Sequence, residues 1–302
     1  MTENFIPDNV EMPRMPTAPA AKLPDDSCDT HCHVFGPYND FPLHLRSTYA
    51  PPDAPATRYL TMLDSVGMQR GVLVQPAPYG TDVSAIIDAI ARRPANLRGI
   101  GVAAPGTPVE QLADWRAAGI CGLRFIEARD PQGNLFPGSV GFDSIEALAP
   151  AMRETDMHVQ MWGPFDRYAP CLERVTDLGL PVVIDHMASV VLSRGVQDPL
   201  FQLVCRLLRE DRLWIKLSVC RVSTQAPDYA DVRPFHDALL QANANRVLWG
   251  SDWPYVRMGE RAPDAGQLID LAWEWFGDDA TRQRVWVSNP AKLYGFSEGA
   301  GK

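Results

Sequence analysis

The chain has 302 residues, of which 46% are apolar, 22% charged and 9% aromatic, the proportions of an ordinary globular protein able to bury a large core. Twenty-eight Lys and Arg stand against 37 Asp and Glu, a net charge of −9, which argues against nucleic acid or an anionic membrane as partner. No run approaches the roughly 18 apolar residues of a membrane span. The first residues lack the basic segment and apolar run of a secretory signal. Six cysteines are too sparse for a disulfide scaffold, and Cys121, Cys205 and Cys220 sit in apolar stretches, so a cytoplasmic, reducing environment is expected.

Residues 1–24 carry five prolines and little periodicity, and are expected to form an extended N-terminal arm before a single domain at 25–302. Short, nearly continuous apolar runs then predict eight strands, at 29–35, 71–77, 98–104, 122–129, 158–164, 181–187, 213–219 and 246–254. Between and after them, helical spacing is read at 81–91, 109–118, 143–152, 167–178, 199–208, 232–242 and 265–275. Strands alternating with helices, with no linker to divide them, predict one (β/α)8 TIM-type barrel. The arm (12–26) and a C-terminal helical tail (289–296) are expected to pack outside it. Trp115, Trp273, Trp275 and Trp286 lie on helical patterns and are expected in the core or at an interface, which leaves a homo-oligomer open.

Active sites of such barrels sit at the C-terminal ends of the strands, so polar residues there are site candidates. The first strand ends in Asp-Thr-His31-Cys-His33, whose two imidazoles share a face and can grip a metal or an anion. The sixth delivers His186, and the eighth delivers Asp252 between Gly250 and a Trp-Pro pair that stops the strand. Each alone has a bland reading, such as a loop histidine or a turn aspartate. Three histidines and one aspartate at one mouth form a specific constellation. Arg124, inside the apolar run GLRFI, and Arg221, after the seventh strand, each need an anionic partner. That partner is an internal carboxylate, for instance Glu127 or Asp130 for Arg124, or an anionic ligand. Lys216 is expected to reach along the barrel wall to a carboxylate. No nucleophile elbow, P-loop or zinc-ribbon spacing is present.

The stretches DTHCHVFGP, GLRF, VIDHM, LWIKLS and VLWGSDWP resemble the amidohydrolase superfamily. The resemblance extends over residues 28–296 and is to its lactonase branch, which includes pyrone-dicarboxylate lactonases and muconolactone hydrolases, sulfomuconolactone hydrolases among them. It implies a carboxylic-ester hydrolase that opens a small anionic lactone in the breakdown of aromatic compounds. Asp252 would be the general base, with His31, His33 and His186 stabilising the oxyanion. Arg124, Arg221, Tyr49, Tyr79, Trp162 and Gln160 would contact the substrate. The fourth strand has no lysine to bridge two metals and the fifth ends in Gln160 and Trp162, so a binuclear centre is not expected. One divalent ion, zinc or manganese, on His31, His33 and Asp252 and a metal-free mechanism both stay open. Ala77, Tyr79 and Trp162 stand where the pyrone enzyme has serine, histidine and tyrosine, which implies a different lactone. A decarboxylase or lactone isomerase on the same fold, or a noncatalytic anion- or metal-binding barrel, are the alternatives.

Overall fold

The computed structural model describes residues 5–7 and 10–297. The expected arm therefore includes residues 1–4, 8 and 9, and the expected domain includes 298–302, which lie outside the described residues. Eight strands run in chain order and pair in parallel with their sequence neighbours: β1 Cys28–Cys32, β2 Arg70–Val74, β3 Leu97–Gly101, β4 Ile120–Ile126, β5 His158–Trp162, β6 Val182–Ile184, β7 Trp214–Leu217 and β8 Val247–Trp249. A parallel bridge between Cys32 and Trp253 joins the end of β8 back to β1. The Asp252 N–H to His31 carbonyl bond (2.8 Å) and the His33 N–H to Trp253 carbonyl bond (2.8 Å) complete the circuit. The molecule is the expected (β/α)8 barrel.

The outer layer is α1 Ala56–Val66, α2 Ser84–Arg92, α3 Val109–Ala117, α4 Ile145–Glu154, α5 Leu172–Thr176, α6 Pro199–Arg209, α7 Arg233–Asn243 and α8 Ala265–Phe276, followed by the shorter α9 Asp279–Gln283 and α10 Asn289–Tyr294. Helix α1 has no counterpart in the sequence reading. Its buried positions, Ala56, Tyr59, Met62, Leu63 and Val66, have helical spacing, and Gly67 caps it in the left-handed region at φ 78°. A run of prolines just before it hides the start. The Tyr59 hydroxyl lies where a Cβ on Gly71 of β2 would be, which points Gly71 outward and Val72 and Val74 inward.

The tail differs from the expectation that it packs outside the barrel. Tyr294 and Phe296 join the inward residues Cys28, Val72, Ile100, Cys121, Val183, Trp214 and Leu248, so α10 and its extension close the end of the barrel opposite the strand C-termini. Asn289 Nδ2 bonds the Val247 carbonyl at 2.7 Å, and Arg98 Nε bonds that of Tyr294 at 3.2 Å. Burying each aromatic ring there stabilises the fold by about 2–3 kcal/mol. Within the N-terminal arm, the backbone N–H groups of Thr17, Ala20 and Ala21 bond Asp264 and Asp270 of the α8 region. No helix among the described residues is long and apolar enough to cross a membrane.

Candidate active site

His31 and His33, two apart at the end of β1, turn their rings to one side with centroids 5.1 Å apart. A carbonyl can only accept, so the 2.7 Å contact between His33 Nδ1 and the Val74 carbonyl fixes the proton on Nδ1. Its Nε2 lies 3.3 Å from Asp252 Oδ1. His31 is arranged alike: Nδ1 lies 3.2 Å from Asp185 Oδ1, and Nε2 lies 3.4 Å from Asp252 Oδ1. A carboxylate behind a histidine sets its tautomer and orientation.

Asp252 leaves β8 in a left-handed conformation, φ 64°. Ser251 braces the turn, donating from Oγ to Asp29 Oδ2 at 2.6 Å and from its backbone N–H to Asp29 Oδ1 at 2.8 Å. Gly250 is required one residue earlier, because a Cβ there would lie 2.6 Å from the His31 Cβ. Only glycine lets β8 approach β1 closely enough to set the carboxylate against the two imidazoles. Oδ2 accepts from Arg221 Nε, and Arg221 Nη1 donates to the Val256 carbonyl at 2.8 Å. His186 follows β6 and opens a turn in which four consecutive residues, His186–Ser189, are left-handed. Its Nε2 is 3.9 Å from Asp252 Oδ1, and its buried Nδ1 has no partner.

Beneath these groups is a second network. Lys216 of β7 is fully buried; its Nζ donates to Gln160 Oε1 at 2.8 Å and lies 3.4 Å from Asp185 Oδ1. Gln160 Nε2 donates to Asp185 Oδ2 at 3.1 Å, and Arg124 Nε lies 3.7 Å from the same oxygen. Lys216 thus reaches a carboxylate, as expected. Glu127, considered for Arg124, instead pairs with Arg129 and accepts from the Phe142 N–H.

Burial alone raises the Asp252 carboxyl, but Arg221 and the facing imidazoles outweigh it and hold the group well below the usual carboxylate range. Asp185 is likewise pushed up by burial, and held well below that range by His31 and Lys216. Burial lowers His31 far below its ordinary value and His186 to about 4, against the opposing pull of nearby carboxylates. Both imidazoles are therefore neutral at pH 7.

The neutral His31 ring and the charged Asp252 carboxylate both turn acceptors toward this centre. His31 Nε2, buried without a hydrogen-bond partner, lies with a ring nitrogen of His33 and a carboxylate oxygen of Asp252 within 4.8 Å of one another. Two nitrogens and one carboxylate oxygen suit a single divalent cation. His31, Asp185 and His186 form a second such group, but the Lys216 ammonium already answers Asp185.

The cavity above encloses about 260 Å³. His33, His186, Asp252, Arg124, Arg221, Tyr49 and Trp162 line it, with Arg124 5.6 Å from the Trp162 ring. Gln160 lies below the floor. Tyr79 is not brought to the cavity: it is buried behind Pro78, and its hydroxyl accepts from the Gly36 N–H at 2.7 Å. Sequence reasoning missed Arg46 and Arg257, which also line the cavity, and gave Asp185 no role. A lone aspartate closing the apolar run VVID is a signal that could have found Asp185.

The amidohydrolase family profile matches residues 28–296. A 4-sulfomuconolactone hydrolase from Rhizobium radiobacter is 35% identical over 287 residues, 94% of this chain and 95% of that protein. A 2-pyrone-4,6-dicarboxylate hydrolase from Comamonas testosteroni is 30% identical, covering 92% of this chain and 93% of its own. A crystal structure of a probable 2-pyrone-4,6-dicarboxylic acid hydrolase from Acinetobacter baumannii, with citric acid bound, is 27% identical. It superposes with a TM-score of 0.77 over 90% of this chain and 100% of that one.

Proposed function

This chain belongs to the amidohydrolase family, and from that premise we propose that it hydrolyses a small anionic lactone of the kind formed when aromatic compounds are broken down. The observation that carries the reading is the cavity in which a buried, charged Asp252 faces three imidazoles beside arginines. The names of relatives at 30–35% identity, sulfomuconolactone and pyrone-dicarboxylate hydrolases, support the lactone. Citric acid in the Acinetobacter baumannii structure supports an anionic ligand.

Arg124, reaching up from β4 over Trp162, holds an acid group and so orients the ring. Asp252 takes a proton from the water that attacks the ester carbonyl, while Arg221 keeps its carboxylate charged and aimed. His186, neutral and with an unpartnered Nδ1, donates a hydrogen bond to the oxyanion. When the ring C–O bond breaks, Asp252 returns the proton to the leaving oxygen. His31, His33 and Asp252 would hold one zinc or manganese ion, which would supply Lewis acidity. Asp185 Oδ1, an acceptor facing Nδ1, favours the His31 tautomer that presents Nε2.

The test is product analysis on a panel of anionic lactones in ¹⁸O-labelled water. Hydrolysis gives a product heavier by one water, with the label in the new carboxylate. An unlabelled isomer, or loss of carbon dioxide, would overturn the assignment.

A further inference from the structure

The N-terminal arm is held to the barrel by bonds to its backbone. The Ala20 and Ala21 N–H groups donate to Asp270 of α8 at 3.0 and 2.8 Å, and that of Thr17 donates to Asp264 at 2.9 Å. A Cβ on Gly266 of α8 would collide with the Thr17 carbonyl, so the arm seats closely there. Arg58, in the first turn of α1, donates from Nε to the Pro13 carbonyl at 3.1 Å. The arm then meets the loop that joins β1 to α1. The Glu11 carbonyl accepts from the Asp53 N–H at 2.9 Å, and Phe5 and Leu43 form an antiparallel bridge with reciprocal bonds of 2.7 and 2.9 Å. Leu43 is fully buried, and Phe5, Val10 and Met15 pack against the core. Five prolines in the first 24 residues favour an extended segment and reduce the freedom it loses on docking.

The two anchors, Leu43 and Asp53, enclose the stretch 44–52, which brings Arg46, Ser47, Thr48 and Tyr49 to the cavity. Other bonds also reach this stretch: the His44 and Leu45 N–H groups donate to the Pro78 carbonyl, and the Tyr38 hydroxyl donates to the Pro52 carbonyl. Loosening the arm should therefore free the stretch without unfolding the barrel. We propose that the N-terminal arm is a strap that holds the β1–α1 loop in its binding shape, with Arg58 and Asp270 as positioning residues for a cavity that neither touches. This rests on the cavity as the place where ligand binds, and not on which reaction follows. A loop held in place before the ligand arrives spares the ligand the cost of ordering it.

The test measures hydrogen exchange by mass spectrometry over residues 41–54, together with benzoate binding by titration calorimetry and Tm. The proteins are the wild type, Phe5→Pro, Arg58→Gln, Arg58→Lys and Asp270→Ala, all full-length. Phe5→Pro removes the N–H that bonds the Leu43 carbonyl. In Phe5→Pro and Arg58→Gln the Leu43 and Asp53 amides should exchange at least about tenfold faster, while those of the strands keep their wild-type rates. Benzoate affinity should fall about three- to tenfold, the scale of ordering one or two rim side chains, with Tm lowered by no more than about a few degrees. Asp270→Ala should show the same pattern more weakly, and Arg58→Lys should keep most of the wild-type behaviour. A lower Tm with unchanged loop exchange would make the arm merely structural and overturn the strap. So would an affinity that does not follow the exchange, or no benzoate binding to the wild type. Lactone turnover on the same samples reports separately on the lactonase reading: KM should rise with the loss of affinity while kcat stays within about twofold. Faster exchange and weaker benzoate binding in a protein that opens no lactone would leave the strap standing and remove the activity.

Discussion

Replacing Asp252 by asparagine separates chemistry from architecture at this mouth. The residue sits at φ 64°, where asparagine is among the few side chains that fit without strain, so the turn should survive. The backbone bond from Asp252 N–H to the His31 carbonyl is untouched, and an asparagine oxygen can still accept from Arg221 Nε. What is lost is the negative charge opposite a guanidinium that is 18% exposed, a cost of about 1–3 kcal/mol and a fall in Tm of a few degrees. The loss in rate should be far larger. A positioned base contributes about 10²–10⁴-fold, equivalent to roughly 3–5 kcal/mol in the barrel's reaction. Ligand binding should move the other way, because removing the single carboxylate of the wall leaves four arginines facing an anion. The expected pattern is a collapsed kcat, a modest fall in Tm, and an unreactive ring anion such as benzoate bound at least as tightly as by the wild type. Metal content measured on the same samples separates loss of the base from loss of an ion. Turnover within about tenfold of wild type would refute the base assignment.

Purified protein should contain about one divalent ion per chain. Chelation should abolish activity and lower Tm until zinc or manganese is restored, while His31→Asn and His33→Asn should lose the ion; an unchanged rate after prolonged chelation would remove the metal. Arg124→Met should lower kcat/KM about 10–100-fold on an anionic lactone and much less on a neutral one of similar size, whereas equal losses would refute the clamp. Because His186 titrates at about 4 and Asp252 lies well below the usual carboxylate range, kcat/KM should be flat from neutral pH down to about 5; an acid limb centred near 6.5 would mean an unshifted imidazole. Burial raises Asp29 to about 6 against hydrogen bonds from Ser251 and the His31 N–H, so the folded chain keeps a proton that the unfolded chain loses from about pH 4 upward. Stability contributed by this group therefore falls as pH rises through that window, by about 2–3 kcal/mol. Asp29→Asn should gain that much relative to wild type between pH 4.5 and 7.5 in denaturant titrations, and parallel curves would count against it.

The barrel is legible because its strands are buried on both faces, so each reads as a short apolar run such as GVLV or PVVI. Helix α1 escapes because the eye stops at the prolines before it, although its five buried residues keep helical spacing. The tail is legible as a helix but not in its place: nothing local tells whether Tyr294 and Phe296 cover the outside of a barrel or its end. Histidines and an aspartate at strand ends are legible in the same way, since chain position within a parallel strand fixes the end of the barrel at which a residue emerges. Partnerships are not. Lys216 and Gln160 are 56 positions apart and Asp185 lies between them; only the closed sheet brings β5, β6 and β7 side by side. Tyr79 is misread because its loop turns the ring inward to Gly36, a choice that no spacing rule encodes.

The two halves of the site differ in how they are held. His31, His33, His186 and Asp252 leave the ends of β1, β6 and β8, and their directions are set by backbone that has little freedom. The left-handed turn His186–Ser189 contains no glycine, and each such residue costs about 1–2 kcal/mol. Met187 and Ala188 are both fully buried, so packing offsets the strain and fixes the imidazole without relying on its rotamer. Gly250 and the Ser251–Asp29 brace do the same for Asp252. The rim of the cavity is built otherwise, with Arg46 and Tyr49 from the loop after β1, Phe136 from the loop after β4 and Arg257 from the loop after β8. Loops can change length and charge without disturbing a barrel. Ala77 and Trp162 also line this cavity. With the centre set by strand ends and the rim by loops, a change in the rim can alter which anionic ligand fits without moving the catalytic groups.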